Sequence, residues 1–91
     1  MMKAKFELGG CYLTPSARFK LNELDYPFEC LLIRHHQGDW GDLEREDKQA
    51  NDAALINGSR LFSAYIVQGV KFWVITEADR SSTTILLPSE Y

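Results

Sequence analysis

A change of period at residue 60 constrains this chain more than any other feature. Before it, apolar residues recur at three- and four-residue intervals, the spacing of amphipathic helices. After it they alternate, the spacing of half-buried strands. Residues 60–67, 70–77 and 83–87 read as three strands of an antiparallel meander. Gln68-Gly69 makes a two-residue hairpin turn, and Ala78-Asp79-Arg80-Ser81 a longer polar one. That turn sets Tyr65 opposite Phe72, Ala64 opposite Trp73, Phe62 opposite Ile75 and Arg60 opposite Glu77. Small residues then face large ones and opposite charges meet.

The register divides the sheet into two faces. Leu61, Tyr65, Val67, Phe72, Val74, Ile85 and Leu87 make the better core face. Phe62, Ile66, Trp73, Ile75 and Leu86 share the other with Arg60, Lys71 and Glu77.

Three helices are expected to precede the meander. Thr14-Pro15 is a helix start, with threonine as cap and proline in the first turn, and Ala17, Leu21 and Leu24 follow on one face. Asp25-Tyr26-Pro27 ends that helix and starts a second, with Asp25 or Tyr26 as cap. Its stripe is Phe28, Leu31, Leu32 and His35, and Gly38 terminates it. In its last turn the negative end of the helix dipole favours protonated His35 and His36. A third helix is expected from an Asp42 cap to Asn57-Gly58. Its apolar face is thin (Leu43, Ala50, Ala54), with Asp47 and Asn51 beside it. Ahead of all this, residues 3–8 alternate enough for a short strand, ended by Gly9-Gly10. The expectation is one α+β domain over residues 1–91: a short N-terminal strand, three helices, then the meander, with the helices on one face. Three helices of this length cover one face of such a sheet, so Phe62, Trp73, Ile75 and Leu86 are interface candidates. Either a partner or second copy covers them, or the N-terminal segment does.

Reactive side chains concentrate in Arg34-His35-His36-Gln37-Gly38-Asp39-Trp40-Gly41-Asp42, which holds both histidines. His35, His36, Asp39, Trp40, Asp79 and Arg80 are the binding candidates. His35, His36 and Asp39, with Asp79, are the groups that a small metal-dependent or acid–base enzyme would use. Their spacing matches no standard metal motif, so no metal or cofactor is expected. The plainer reading makes His35 a core histidine and residues 38–41 a tight interhelical turn pinned by the indole. The turn around Asp79 and Arg80 lacks a nucleophile–base pair, and Arg80 there is a possible latch towards Asp39 or Asp47. Asp47 with Asn51 suits a cation, or equally pairing with the Trp40 N–H, Arg34 or the sheet turn.

Net charge is −3 and the ten basic residues are scattered, which argues against nucleic-acid binding. The order of elements resembles that of small ribosome-dependent endoribonuclease toxins, but their mechanism needs a basic surface. No secretory signal or membrane-length apolar run is visible, so a cytoplasmic protein is expected, with Cys11 and Cys30 as reduced, small hydrophobes.

Several separated motifs carry a family resemblance: His35-x-x-Gly38-Asp39-Trp40-Gly41-Asp42-Leu43, Glu46-Asp47, Asn51-Asp52, Arg60-Leu61-x-Ser63-Ala64-Tyr65, Trp73-Val74-Ile75-Thr76-Glu77-Ala78-Asp79-Arg80-Ser81 and Leu86-Leu87-Pro88-x-Glu90-Tyr91. Over roughly residues 28–91 the chain resembles a group of small bacterial proteins found on plasmids, prophages and integrative elements, some labelled "plasmid-related protein". Upstream only Thr14-Pro15 matches. The resemblance implies no activity, cofactor or catalytic residue. It implies a mobile-element setting, in which small acidic proteins act on host or competitor machinery. The resulting expectation is an accessory or anti-defence protein that binds a protein partner, as a possible homodimer.

Overall fold

The hairpin forms where the alternation puts it. The structure, a computed structural model, describes residues 4–91. Strand β2 (Leu61–Val67) and strand β3 (Val70–Thr76) pair antiparallel in the expected register, with Tyr65 opposite Phe72, Ala64 opposite Trp73 and Phe62 opposite Ile75. Gln68 and Gly69 both adopt positive φ (49° and 83°), as a tight turn matching the strand twist requires. Beyond the ladder, Arg60 and Glu77 meet as an exposed ion pair at 3.3 Å. Strand β4 (Ser82–Leu86) continues the meander against β3, with Val74 opposite Ile85.

The sheet has a fourth strand that the alternation misplaces. Strand β1 is Gly10–Leu13, not residues 3–8, and it runs parallel to β4, giving a mixed sheet of order β1-β4-β3-β2. Residue 3 of the expected strand lies outside the described residues, and residues 4–9 are irregular. Gly9-Gly10, expected to end a strand, instead admits one. Gly9 takes φ +68° so close to Ser81 that a Cβ would run into its backbone. The Gly10 N–H then donates to the Ser81 carbonyl (3.0 Å), starting the parallel ladder.

Helix α1 (Pro15–Glu23) begins as expected, with Thr14 Oγ1 accepting from the Ala17 N–H at 3.2 Å and with Ala17 and Leu21 buried. Helix α2 (Phe28–His36) starts after Pro27 without a side-chain cap, because Asp25 is held at φ 55° in the turn after α1. Its C-terminus closes by two backbone bonds, Gly38 N–H to the His35 carbonyl and Asp39 N–H to the Arg34 carbonyl, around Gly38 at φ 83°. Helix α3 (Arg45–Asn57) begins two residues later than an Asp42 cap would allow. Asp42 is engaged elsewhere, at the edge of β2. Gly58, in the left-handed region, ends α3.

Helices α1 and α2 close the larger core over Tyr65, Val67, Phe72, Val74 and Ile85 through Ala17, Leu21, Leu31 and Leu32. A smaller cluster joins Trp40, Ala54 of α3 and Leu61, with Phe6, Leu43 and Leu55 at its margin. Cys11 and Cys30 are exposed free thiols rather than small core hydrophobes. Among the described residues, no helix is long and apolar enough to cross a membrane.

Candidate functional site

His35 sits at the centre of a buried polar chain. The i, i+3, i+4, i+7 stripe of α2 turns it onto the sheet, where it is 0% exposed. The core-face positions it meets carry hydroxyls, Ser63 on β2 and Thr76 on β3. The Ser63 Oγ lies 2.5 Å from Nδ1 and the Thr76 Oγ1 2.9 Å from Nε2. Thr76 is 2.7 Å from Thr83 on β4, which donates to the Leu8 carbonyl at 2.7 Å.

That last bond sets the direction of the protons from Thr83 back to His35 Nε2. Thr83 spends its hydrogen on Leu8, so it accepts from Thr76. Thr76 therefore accepts from His35 Nε2–H, and in a ring carrying that one proton Nδ1 accepts from Ser63. This assignment requires neutral imidazole. Burial pushes the His35 pKa down to about 3, helped by the charges of His36 and Arg80. The expectation that the helix dipole favours protonated His35 is thus overturned, because desolvation outweighs the dipole. Both ring nitrogens are engaged and the ring is closed to solvent, so His35 ties helix to sheet and is not presented to a substrate.

The other binding candidates do not form an open cleft. Phe6 fills the space where they were expected to meet. Its ring centroid lies 5.2 Å from His35, 5.6 Å from His36, 6.2 Å from Trp40, and 6.0 Å from the Arg80 guanidinium carbon. Lys5 N–H to the His36 carbonyl (2.9 Å) holds this segment down. Trp40 is buried (5% exposed), and its indole N–H donates to Asp52 at 3.0 Å, not to Asp47 or Asn51. Asp39 faces away, paired with Arg34 at 2.7 Å while accepting the Gly41 N–H; those bonds hold its carboxyl below the usual range. Asp79 is a surface turn residue whose carboxylate accepts the Ser81 N–H. Arg80 is indeed a latch, but towards carbonyls: it donates to Ala54 at the end of α3 (3.0 Å) and to Ser59 (2.6 Å). Cation placed on the last carbonyls of a helix opposes the negative end of its dipole. Among the described residues, no group of three or more His, Cys, Asp or Glu is placed to hold a metal ion.

The stretch that is richest in chemistry therefore serves a strand. Residues 40–42 run beside the outer edge of β2, where Trp40 accepts from Ala64 N–H (3.3 Å) and Asp42 N–H donates to the Ala64 carbonyl (2.6 Å). The Asp42 carboxylate accepts the Ile66 N–H at 3.0 Å. Asn51, buried on α3, accepts the Phe62 N–H and donates to its carbonyl. Side chains and loop thus satisfy the outward N–H and C=O of Phe62 and Ala64 and the N–H of Ile66, groups of an edge strand that a foreign strand would otherwise pair.

The opposite sheet face carries the remaining candidates. Ile75 and Leu86, interface candidates by sequence, are buried at 6% and 7% exposure. Among the described residues, the C-terminal turn Pro88–Glu90 packs against β3 on this side, and Tyr91 against Trp73. Glu90 anchors that turn by accepting from Thr14 Oγ1 (2.7 Å) and the Leu87 N–H (2.9 Å). Phe62 and Trp73 stay half-buried. Their rings meet edge to face at 5.0 Å, and Trp73 meets Tyr91 at 5.6 Å. Arg60 donates to the Tyr91 hydroxyl at 2.9 Å. Arg60, Phe62, Trp73, Ile75 and Tyr91 line an apolar slot of about 240 Å3. Through Arg60 and Phe62 it adjoins a shallower groove of about 410 Å3 against Ala50, Ala54 and Asn57 of α3.

Three elements of these sites escape the sequence reading. Phe6 looked like a strand residue. Ser63, Thr76 and Thr83 sit at core-face positions of the alternation, and hydroxyls there, opposite a helical histidine, are a usable signal. Tyr91 joins Trp73 only through the C-terminal turn, which has no periodic signature. None of the family models, curated proteins or solved structures compared with the chain matches it.

Proposed function

We propose that this chain is a small protein-interaction protein of a mobile genetic element, accessory or anti-defence in role, which binds a protein partner through its outer sheet face. The observation that carries the reading is the slot walled by Phe62, Trp73 and Tyr91, with Arg60 at its mouth. Half-buried and exposed aromatic side chains with an arginine around a small apolar cavity have the composition of an interface hot spot. The slot takes one apolar or aromatic side chain of the partner. The α3 groove, floored by small alanines, takes the chain beside it. The resemblance to plasmid, prophage and integrative-element proteins supports the setting.

Tyr91→Ala tests the reading, because Tyr91 is 72% exposed and belongs to neither core cluster. The partner, captured by the tagged wild-type protein and identified, is titrated against both proteins. The expected result is about tenfold or more weaker binding by the variant at unchanged melting temperature. Equal affinity, or no partner retained by the wild type, would sink the proposal. Trp73 adds a direct readout: in a Trp40→Phe background its fluorescence should change on binding.

A further inference from the structure

The two edges of the sheet are treated differently. Every described bond to the outer edge of β2 has a local donor or acceptor behind it. The outer edge of β1 has none among the described residues. Gly10, Tyr12 and Thr14 face β4, as the bonds from Gly10 N–H to Ser81 and from Thr14 N–H to Ile85 show. Alternation therefore turns the N–H and C=O of Cys11 and Leu13 outward. Gly10, Cys11 and Tyr12 are exposed, Tyr12 by 58%. Beside this edge lies a groove of about 610 Å3, walled by Leu13, Arg18, Leu21, Tyr26, Phe28 and Glu29.

We infer that the β1 edge pairs antiparallel with the β1 edge of a second copy of this chain, about a two-fold axis at Tyr12, to give a continuous eight-stranded sheet. Three observations choose a second copy over a foreign strand. The first is length. With the axis at Tyr12, Cys11 pairs with Leu13 of the second copy and Leu13 with its Cys11. All four outward N–H and C=O groups of each copy are satisfied, and none is left over. A longer foreign strand would run on past Gly9, which leaves the extended region at φ +68°, and past Pro15, which has no N–H. The second is charge. The groove holds one cation, Arg18, and one anion, Glu29, and neither is in an ion pair among the described residues. A two-fold axis makes such a groove self-complementary, since each copy offers the sign the other lacks. The third is Tyr12. It falls at a non-hydrogen-bonded position, where opposed Cα atoms come within about 4.5 Å and aromatic pairs add stability. The short strand gives a small interface, so association is weak and concentration-dependent.

Sedimentation equilibrium over a concentration series tests this. The wild-type protein should follow a monomer–dimer equilibrium. Cys11→Pro removes only an outward N–H, a change that an edge strand tolerates. It should weaken association by about tenfold or more, with the melting temperature little changed. The register is tested separately by cross-linking with copper phenanthroline in the Cys11→Ser, Tyr12→Cys, Cys30→Ser variant. It should give a covalent dimer, whereas the Cys30→Ser variant, whose Cys11 faces Leu13, should not. A wild type monomeric at every concentration would overturn the inference. So would a Cys11→Pro variant that dimerises as tightly as the wild type, or cross-linking through Cys11 alone. Tyr91→Ala should leave association unchanged; if it abolishes the dimer, the contact lies on the outer face and the β1 assignment is wrong. Because the slot and the β1 edge share no residue, failure of one proposal is distinguishable from failure of the other.

Discussion

Strands β2 and β1 are both edges, and the chain handles them in opposite ways. Along β2 three different devices act within a few residues: a stretch of backbone from residues 40–42, the Asp42 carboxylate and the Asn51 amide. Along β1 nothing comparable stands among the described residues, and the strand is four residues long. The guarded edge also explains the oddest helix in the chain. Helix α3 has almost no apolar face, yet it holds its place because Asn51 is bonded to the Phe62 backbone and Arg80 caps its end. Polar fixation adds to the small hydrophobic contact that Ala54 and Leu55 make there. The lesson is that a concentration of polar and charged residues in a small protein can be the machinery that closes an edge.

Substitutions along and behind the guarded edge should be costly and those at the open edge cheap. The largest effect is expected for His35→Ala. It leaves a cavity, strips the Ser63 hydroxyl of its His35 partner and leaves Thr76 bonded to Thr83 alone, so thermal or urea unfolding should show a loss of about 3–5 kcal/mol. Gly41→Ala comes next. A Cβ there would collide with the Ala64 carbonyl and the Tyr65 ring, at φ +76°. The strain should push residues 40–42 off β2 for about 3 kcal/mol, with faster amide exchange at Ala64 and Ile66. A loss of only a few tenths would show that the bridge is not part of the guard.

Acid should reach the same region without mutation. The folded His35 has its pKa lowered to about 3 from an ordinary 6.5. Above 6.5 neither the folded nor the unfolded state carries the proton, and the neutral network is fully available. As the pH falls below 6.5 the unfolded state takes up a proton that the folded state refuses. Stability should then fall by roughly 1.4 kcal/mol per pH unit until the pH approaches 3. In His35→Gln that slope should vanish between pH 6.5 and 5, where few carboxylates titrate; a slope that survives would place its source elsewhere.

Asn51→Ala is smaller, at about 2 kcal/mol, since it exposes one N–H and one C=O of Phe62 that water partly reaches. The smallest effect belongs to the open edge. A Cβ at Gly10 meets only the Tyr12 side chain, which can swing away. Gly10→Ala should therefore change stability by less than about 0.5 kcal/mol, measured as melting temperature. If it costs as much as Gly41→Ala, the two edges are equally constrained and the contrast fails.

Much of the fold is legible in the sequence, for local reasons. The hairpin register follows from period two and a two-residue turn. The Thr14 cap, the Gly38 and Gly58 stops and the inward face of His35 follow from helix geometry and the preferences of helix ends. The errors share a cause. Asp42 suits a helix cap, but its carboxylate is claimed by Ile66, twenty-four residues away in sequence. Phe6 alternates as in a strand, yet fits the gap between His35, His36 and Trp40. Gly9-Gly10 punctuates the chain, but whether it ends a strand or begins one depends on where Ser81 lies.

The sequence by itself determined the α+β class, the three helices, the antiparallel hairpin and the placement of its one buried histidine, because each depends on residues within a few turns or across a single tight loop. Only the tertiary structure decided that β1 runs parallel to β4, that the densest chemistry in the chain guards β2, and that Tyr91 closes a slot over Trp73. Those arrangements join groups tens of residues apart. What selects them is the need to satisfy each buried donor and acceptor once the chain is folded, a condition that no local period records.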